Sequence, residues 1–413
     1  MSSNKKNLII IFIVVVLVAI AVGVAYYFFF MKGETGEPAA TPSFPIGPIG
    51  GLPSTPTGGT GTPTTGTGTK VNIPRLRQIT KEPVGGAGIF GDVIRYIQRA
   101  DGNIFETKTD ILTVNRISNK TIPKIYEAIW AQTSGGQGGA GDIVITRQLK
   151  DDSETIESFA AKISGSASST EKTLGGVYLP QKISALVISP DKSQMFYLYP
   201  TGSGAATMGV AGIFAKADGS KKTLIFESPL SEWLADFADN KTVVLTTKPS
   251  AGAAGFSYLL NTSNGEIKKI LGNIAGLTIL ISPDKKLILY SESINNSFKT
   301  KLYNLTDNRS TDFVLQTLPE KCVWGKEGEN IYCAAPKAVP TGNYPDSWYQ
   351  GRVSFSDDIW KINTATGETN RLISPEAFVN KTIDVINPLL NENESFLLFM
   401  NKIDLSLWVL DIR

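Results

Sequence analysis

From Val71 to the C-terminus, apolar and polar residues alternate in short runs of four to eight positions bounded by turn-forming residues. No apolar stripe of helical period longer than two turns interrupts them. Evenly spaced short strands of this kind predict an all-β barrel, sandwich or propeller. The N-terminal part reads differently. Leu8 to Phe30 is an unbroken run of 23 uncharged residues, followed over 33–69 by a tract in which Gly, Pro and Thr fill 27 of 37 positions.

Two repeating units decide among the β architectures. One is strand, tight turn, strand. It runs from Ala185 through Ser189, Pro190 and Asp191 to Leu198, and again from Thr278 through Ser282, Pro283 and Asp284 to Tyr290. Leu234 to Leu245, turning at Asp239-Asn240, holds the same place. Asn387-Pro388 to Phe399 is a looser fourth copy. Proline presets φ and Asp or Asn bonds its own turn, so these residues belong at hairpins. The second unit sets an aromatic shortly before a polar turn: Phe214, Tyr258, Tyr303, Trp360 and Trp408, recurring every 44 to 57 residues. A period of 40–50 with four strands per unit is the mark of a propeller. The aromatics are assigned to packing between blades rather than to a ligand.

Counting units predicts seven blades, at 84–120, 121–172, 173–230, 231–275, 276–319, 320–377 and 378–413. The last has three strands. Arg75 to Thr80 resembles Asn370 to Ser374, the outer strand of the preceding blade, and its stretch Leu76 to Thr80 is expected to supply the fourth, closing the ring and removing a free edge. The fold expected is thus an all-β seven-bladed β-propeller closed by an N-terminal strand, over residues 70–413.

The Ile-Ser-Pro-Asp-Lys hairpins at 188–192 and 281–285 resemble the Ser-Pro-Asp-Gly-Lys repeats of TolB-like and WD-repeat-like bacterial propellers, with Lys where that pattern has Gly. The layout of anchor, linker and propeller is similar to that of membrane-anchored proteins of candidate-phylum bacteria. The resemblance implies shape and location, and carries no catalytic residues across.

The apolar run is long enough to span about 30 Å of hydrocarbon as a helix. Lys5 and Lys6 precede it and only Lys32 follows closely, which favours a cytoplasmic N-terminus. The expected division is a cytoplasmic tail at 1–7, a transmembrane anchor at 8–31, a linker at 32–69 and the propeller outside the cell membrane. A cleaved signal peptide is the alternative, and it also exports the rest of the chain. The linker reads as a flexible tether, or as a Thr-rich stalk carrying O-glycans.

Composition then removes chemistry. Lys plus Arg is 40 and Asp plus Glu is 38, a net charge of +2 that makes no electrostatic case for nucleic acid. The chain has no His, which excludes His-based triads and His-ligated metals. No cofactor and no metal site is expected. Asp151-Asp152 and Asp357-Asp358 could contribute to a Ca²⁺ site, but turn and surface use is preferred. Neither sialidase-type boxes nor the Gly-x-Ser-x-Gly of a hydrolase domain occur, so no catalytic residues are assigned.

The two cysteines, Cys322 and Cys333, flank the first hairpin of the sixth blade and fall directly opposite one another. A cross-strand disulfide is expected there, the alternative being two buried thiols. The longest connection, Ala335 to Ser356, carries Tyr344, Trp348, Tyr349, Arg352 and Phe355. These five are the candidate binding residues, exposed on a loop or else folded inward beneath it. Connections in the third, fourth and sixth blades join a second strand to a third. The Gly-rich one at 132–141 joins a first to a second and so belongs to the opposite face. The function expected is a non-enzymatic binding or scaffold module for an envelope protein, peptide or glycan. The alternative is an exported carboxylate-dependent carbohydrate-active or peptide-cleaving enzyme.

Overall fold

A computed structural model describes residues 73–118, 120–133, 141–152, 154–165, 172–202 and 209–413. The anchor, the linker and the centre of the Gly-rich connection lie outside the described residues. Among the described residues no helix is long and apolar enough to cross a membrane.

Among the described residues, twenty-eight strands form seven four-stranded antiparallel sheets. The first, β1 (Leu76–Thr80), is followed by blade 1: β2 (Val84–Phe90), β3 (Val93–Gln98), β4 (Ile104–Lys108) and β5 (Asn115–Arg116). Blade 2 is β6 (Ile125–Ala131), β7 (Ile143–Leu149), β8 (Ile156–Ser164) and β9 (Thr173–Tyr178). Blade 3 is β10 (Ala185–Ile188), β11 (Gln194–Pro200), β12 (Val210–Lys216) and β13 (Thr223–Ser228). Blade 4 is β14 (Trp233–Asp239), β15 (Thr242–Thr247), β16 (Ala254–Asn261) and β17 (Ile267–Ala275). Blade 5 is β18 (Thr278–Ile281), β19 (Leu287–Ile294), β20 (Ser297–Asn304) and β21 (Arg309–Asp312). Blade 6 is β22 (Cys322–Trp324), β23 (Asn330–Pro336), β24 (Asp357–Asn363) and β25 (Thr369–Ile373). In blade 7, β26 (Val385–Leu390), β27 (Phe396–Asn401) and β28 (Leu407–Asp411) are joined by β1, with Leu76 opposite Leu410 and Gln78 opposite Trp408.

Each strand's composition follows its place in the blade. Second strands are covered on both faces by neighbouring blades and read as nearly continuous apolar runs, as in Met195 to Leu198 and Phe396 to Phe399. Outer strands such as β21 (Arg-Ser-Thr-Asp) face water. The core is distributed: seven apolar clusters each join one blade to the next, including one that packs Val84, Ile89 and Tyr96 of blade 1 on Leu398, Met400 and Val409 of blade 7. All five recurring aromatics sit on third strands, and each packs into one of these clusters. Phe105 and Phe159 hold comparable third-strand places in blades 1 and 2.

Two expectations need correction. Thr173–Tyr178 is the outer strand of blade 2, with Tyr178 opposite Phe159, so blade 3 does not begin at 173. The Gly175-Gly176 pair within it hides the strand from a propensity reading. Pro388 lies inside β26, beside a bulge, and not in a turn. In blade 7 it is Asn391 that organises the turn, its Oδ1 accepting from the amides of Ser395 and Phe396.

The two Ser-Pro-Asp turns share one network. Ser189 Oγ donates to Asp191 Oδ1 at 2.6 Å and accepts from Gln194 N at 3.0 Å. Ser282 Oγ does the same with Asp284 (2.6 Å) and Leu287 N (3.0 Å). Lys192 and Lys285, where the resembling repeat has Gly, adopt left-handed φ of 61° and 57°. Glu394 does so at 50° in blade 7. All three side chains reach another blade. Lys192 Nζ donates to Ile89 O at 2.9 Å over the Phe90 ring, Lys285 pairs with Asp239, and Glu394 accepts from Lys326 N at 2.6 Å.

Cys322 and Cys333 form a disulfide, with Cα atoms 4.1 Å apart. Gly325 N donates to Asn330 O, and counting back along the ladder makes 322/333 a non-hydrogen-bonded pair, the close kind.

Candidate functional site

Antiparallel blades put the connections of one kind at one end. First-to-second and third-to-fourth turns lie on one face; second-to-third loops and the links between blades lie on the other. The loop 337–356 belongs to the second face. It leaves β23, makes one helical turn at Asp346–Tyr349, and returns to β24.

The loop is folded down as a flap. Tyr344, Trp348 and Phe355 are 0%, 4% and 1% exposed and pack with Phe298 and Leu318 in a cluster of their own. Three of the five candidate binding residues therefore serve the interior. Burying three rings removes several hundred Å² of apolar surface from water, which outweighs leaving them free for a ligand. Tyr349 and Arg352 stay at the surface, and the Tyr349 hydroxyl donates to Glu320.

The flap reaches beyond its own blade. Ala251 N, in the blade 4 loop, donates to Asp346 Oδ2 at 2.7 Å. Gly342 N donates to Asn296 O of blade 5 at 2.8 Å. Toward blade 7, Asp384 Oδ2 accepts from Trp348 Nε1 (3.0 Å) and from Phe355 N (3.0 Å). One loop thus ties blades 4, 5, 6 and 7 on this face.

Beneath it lies a polar cluster enclosed by protein. Lys321 Nζ sits between Asp357 Oδ2, at 2.8 Å, and Asp384 Oδ1, and also donates to Val385 O at 2.9 Å. All three charged side chains are 0% exposed. Trp348 and Phe355 each place a ring centroid 5.2 Å from the ammonium. Asp357 Oδ2 accepts from Val385 N at 2.7 Å, while its Oδ1 has no hydrogen-bond partner. Burial pushes the Asp357 carboxyl up to about 6, against the pull of the Lys321 ammonium and the Val385 amide. Lys402 approaches from the rim, its Nζ 5.2 Å from the Trp348 ring centroid.

The expected turn and surface use of Asp357-Asp358 is therefore corrected: both are buried, and a lysine ammonium occupies the place a cation would need. Asp151 and Asp152 do form an exposed turn. Hydrogen bonds from Thr155 and Glu154 hold the Asp152 carboxyl down at about 2. No group of three His, Cys, Asp or Glu residues that could hold a metal occurs among the described residues.

Lys321 and Asp384 carry no signal in the sequence. Each stands immediately before a first strand, but 63 positions separate them. On the same face a shallow groove opens between blades 1 and 2, lined by Arg99, Lys124, Tyr126, Leu149 and Ile156.

No family model matches the chain, and no curated protein matches its sequence. Solved structures match its fold. An oligogalacturonate lyase from Vibrio parahaemolyticus is 9% identical, with a TM-score of 0.52 over 82% of this chain and 93% of that one. The β-propeller domain of the Trilobed protease from Pyrococcus furiosus, described as having an open velcro topology, is 11% identical, with a TM-score of 0.50 over 80% and 93%. A TolB from Agrobacterium tumefaciens is 14% identical, with a TM-score of 0.37 over 55% and 72%. At these identities the likeness is one of fold alone: an all-β, seven-bladed β-propeller.

Proposed function

We propose that this protein is a membrane-anchored propeller held outside the cell by a linker at 32–69, acting as a non-enzymatic binding or scaffold module for an envelope protein or glycan. The supporting observation is the flap. It ties four blades into one platform and leaves Tyr349 and Arg352 at its surface, an aromatic and a guanidinium of the kind that dominate binding hot spots. The disulfide favours an oxidising compartment. The 23-residue apolar run with its Lys5/Lys6 flank supports an anchor with a cytoplasmic N-terminus. The pairing of β1 with β28 supports ring closure by the N-terminal strand. The enzyme reading finds no support in Asp357, whose 0% exposure keeps any substrate away.

Display of residues 70–413 on glycan and peptide arrays tests the reading. Binding without turnover, weakened about tenfold or more by Tyr349→Ala with Arg352→Ala, is expected, since a central aromatic or Arg carries about 2 kcal/mol or more. Cleavage of a bound glycan or peptide would replace it with the enzyme reading. An impermeant protease added to intact cells should degrade the propeller, and protection there would overturn the placement outside.

A further inference from the structure

Lys321, Asp357 and Asp384 hold one ammonium and two carboxyl groups in a space closed to solvent. Charges in such a place are costly even when paired, and two carboxylates around one ammonium cannot balance. Lys402, the next cation, stands at the half-buried rim rather than among them. The arrangement also brings a nucleophile to an acyl carbon. Lys321 Nζ is 2.8 Å from Asp357 Oδ2. A carboxyl C–O bond adds only about 1.2 Å, so Cγ of Asp357 lies within about 4 Å of the nitrogen.

We propose that Lys321 and Asp357 are joined by an intramolecular isopeptide bond, formed spontaneously with Asp384 as the proton acceptor. Lys321 passes a proton to Asp384 Oδ1, with which it is hydrogen-bonded. The free amine attacks Cγ of Asp357 in its carboxylic acid form. The amide N–H of Val385, 2.7 Å from Oδ2, stabilises the charge that develops on that oxygen. Oδ1, the oxygen with no partner, takes a second proton from the nitrogen and leaves as water. An ammonium, a carboxylic acid and a carboxylate become an amide, a water molecule and a protonated Asp384. Charge is conserved, nothing is oxidised or reduced, and no co-reactant is consumed.

The surroundings favour product. The amide removes the buried ion pair. The walls of Trp348 and Phe355 exclude the water that would hydrolyse it. Val385 O, 2.9 Å from Nζ, remains as acceptor for the new amide N–H. Burial raises the acid form of Asp357 to an accessible population near neutrality. The bond would staple the link that enters blade 6 to the strand that leaves the flap, enclosing the Cys322–Cys333 disulfide within the larger ring.

The test is the intact mass of the full-length protein, purified in detergent and fully reduced. The expected mass is one water below that of its sequence, with proteolysis releasing a branched peptide that joins Lys321 to Asp357. The Lys321→Arg chain, which keeps the cation but cannot form the amide, should return to its full mass, as should Asp384→Ala. A wild-type chain of full mass overturns the proposal, and that measurement stands even if a variant fails to fold. So does a water loss that persists in Lys321→Arg or a cross-link mapped to other residues. A water loss that survives Asp384→Ala overturns the role given to Asp384.

Discussion

Lys192, Lys285 and Glu394 show why a residue other than Gly holds the left-handed turn position. An L side chain there costs about 1 kcal/mol or more. In each case the side chain bonds to another blade and offsets part of that cost. The offset differs. The Lys285–Asp239 pair is about one-third exposed and contributes little. Glu394 satisfies both the Lys326 amide and the Tyr332 hydroxyl. Lys285→Gly should therefore change stability by less than about 0.5 kcal/mol, whereas Glu394→Gly should cost about 1 kcal/mol. Denaturant midpoints of the two variants, side by side, check this, and equal losses would refute it. Lys192 adds a pH dependence. Burial pulls its ammonium down to about 8 from an ordinary 10.5. Between those values the unfolded chain binds the extra proton, so stability rises with pH across the window and the gain is lost as pH falls through about 8. Lys192→Met should flatten that segment of the stability–pH curve; an unchanged slope would show that the ammonium is not desolvated.

At the level of elements, the flap is a piece of core carried on a loop. Trp348 is 4% exposed and its indole donates to Asp384, so Trp348→Ala should cost about 3–5 kcal/mol. Arg352, at the surface and outside these contacts, should tolerate Ala within about 0.5 kcal/mol. Thermal unfolding of the two variants measures both, and a neutral Trp348→Ala would mean that the flap is not part of the cooperative fold. The four aromatics of this loop, with Arg352, were legible as a group, and Cys322 opposite Cys333 as a pair, because both follow from chain-local spacing. Which way the aromatics face was not legible. It depends on Phe298, Leu318 and Asp384, which arrive from blade 5, the link into blade 6 and the link into blade 7.

For the whole molecule, the blade 7–blade 1 junction decides how the ring is held. The apolar cluster there joins Tyr96 to Leu398 and Val409, while β1 lies along β28 and sends Arg77 to the carbonyls of Lys108 and Ile111 at the edge of blade 1. If β1 is the closing strand, a chain beginning at residue 70 should be stable and soluble. One beginning at 84 should expose the edge of β28, melt lower and aggregate. Equal melting temperatures and solubility would mean that apolar packing alone closes the ring.

Alternation, turn residues and the aromatic period were enough to establish a seven-bladed propeller from sequence, because each blade repeats the same local constraints: a first strand, a tight turn, and a second strand buried on both sides. Where a local signal is weak the reading slipped, as at Gly175-Gly176, and the boundary of blade 2 fell short. The meeting of Lys321, Asp357 and Asp384 belongs to the tertiary structure alone. Each residue sits at the end of a strand on the same face of the ring, and only the curvature that sets blade 6 against blade 7 brings them together. Periodicity along a chain specifies the blades; the ring's closure in space specifies which blade ends touch.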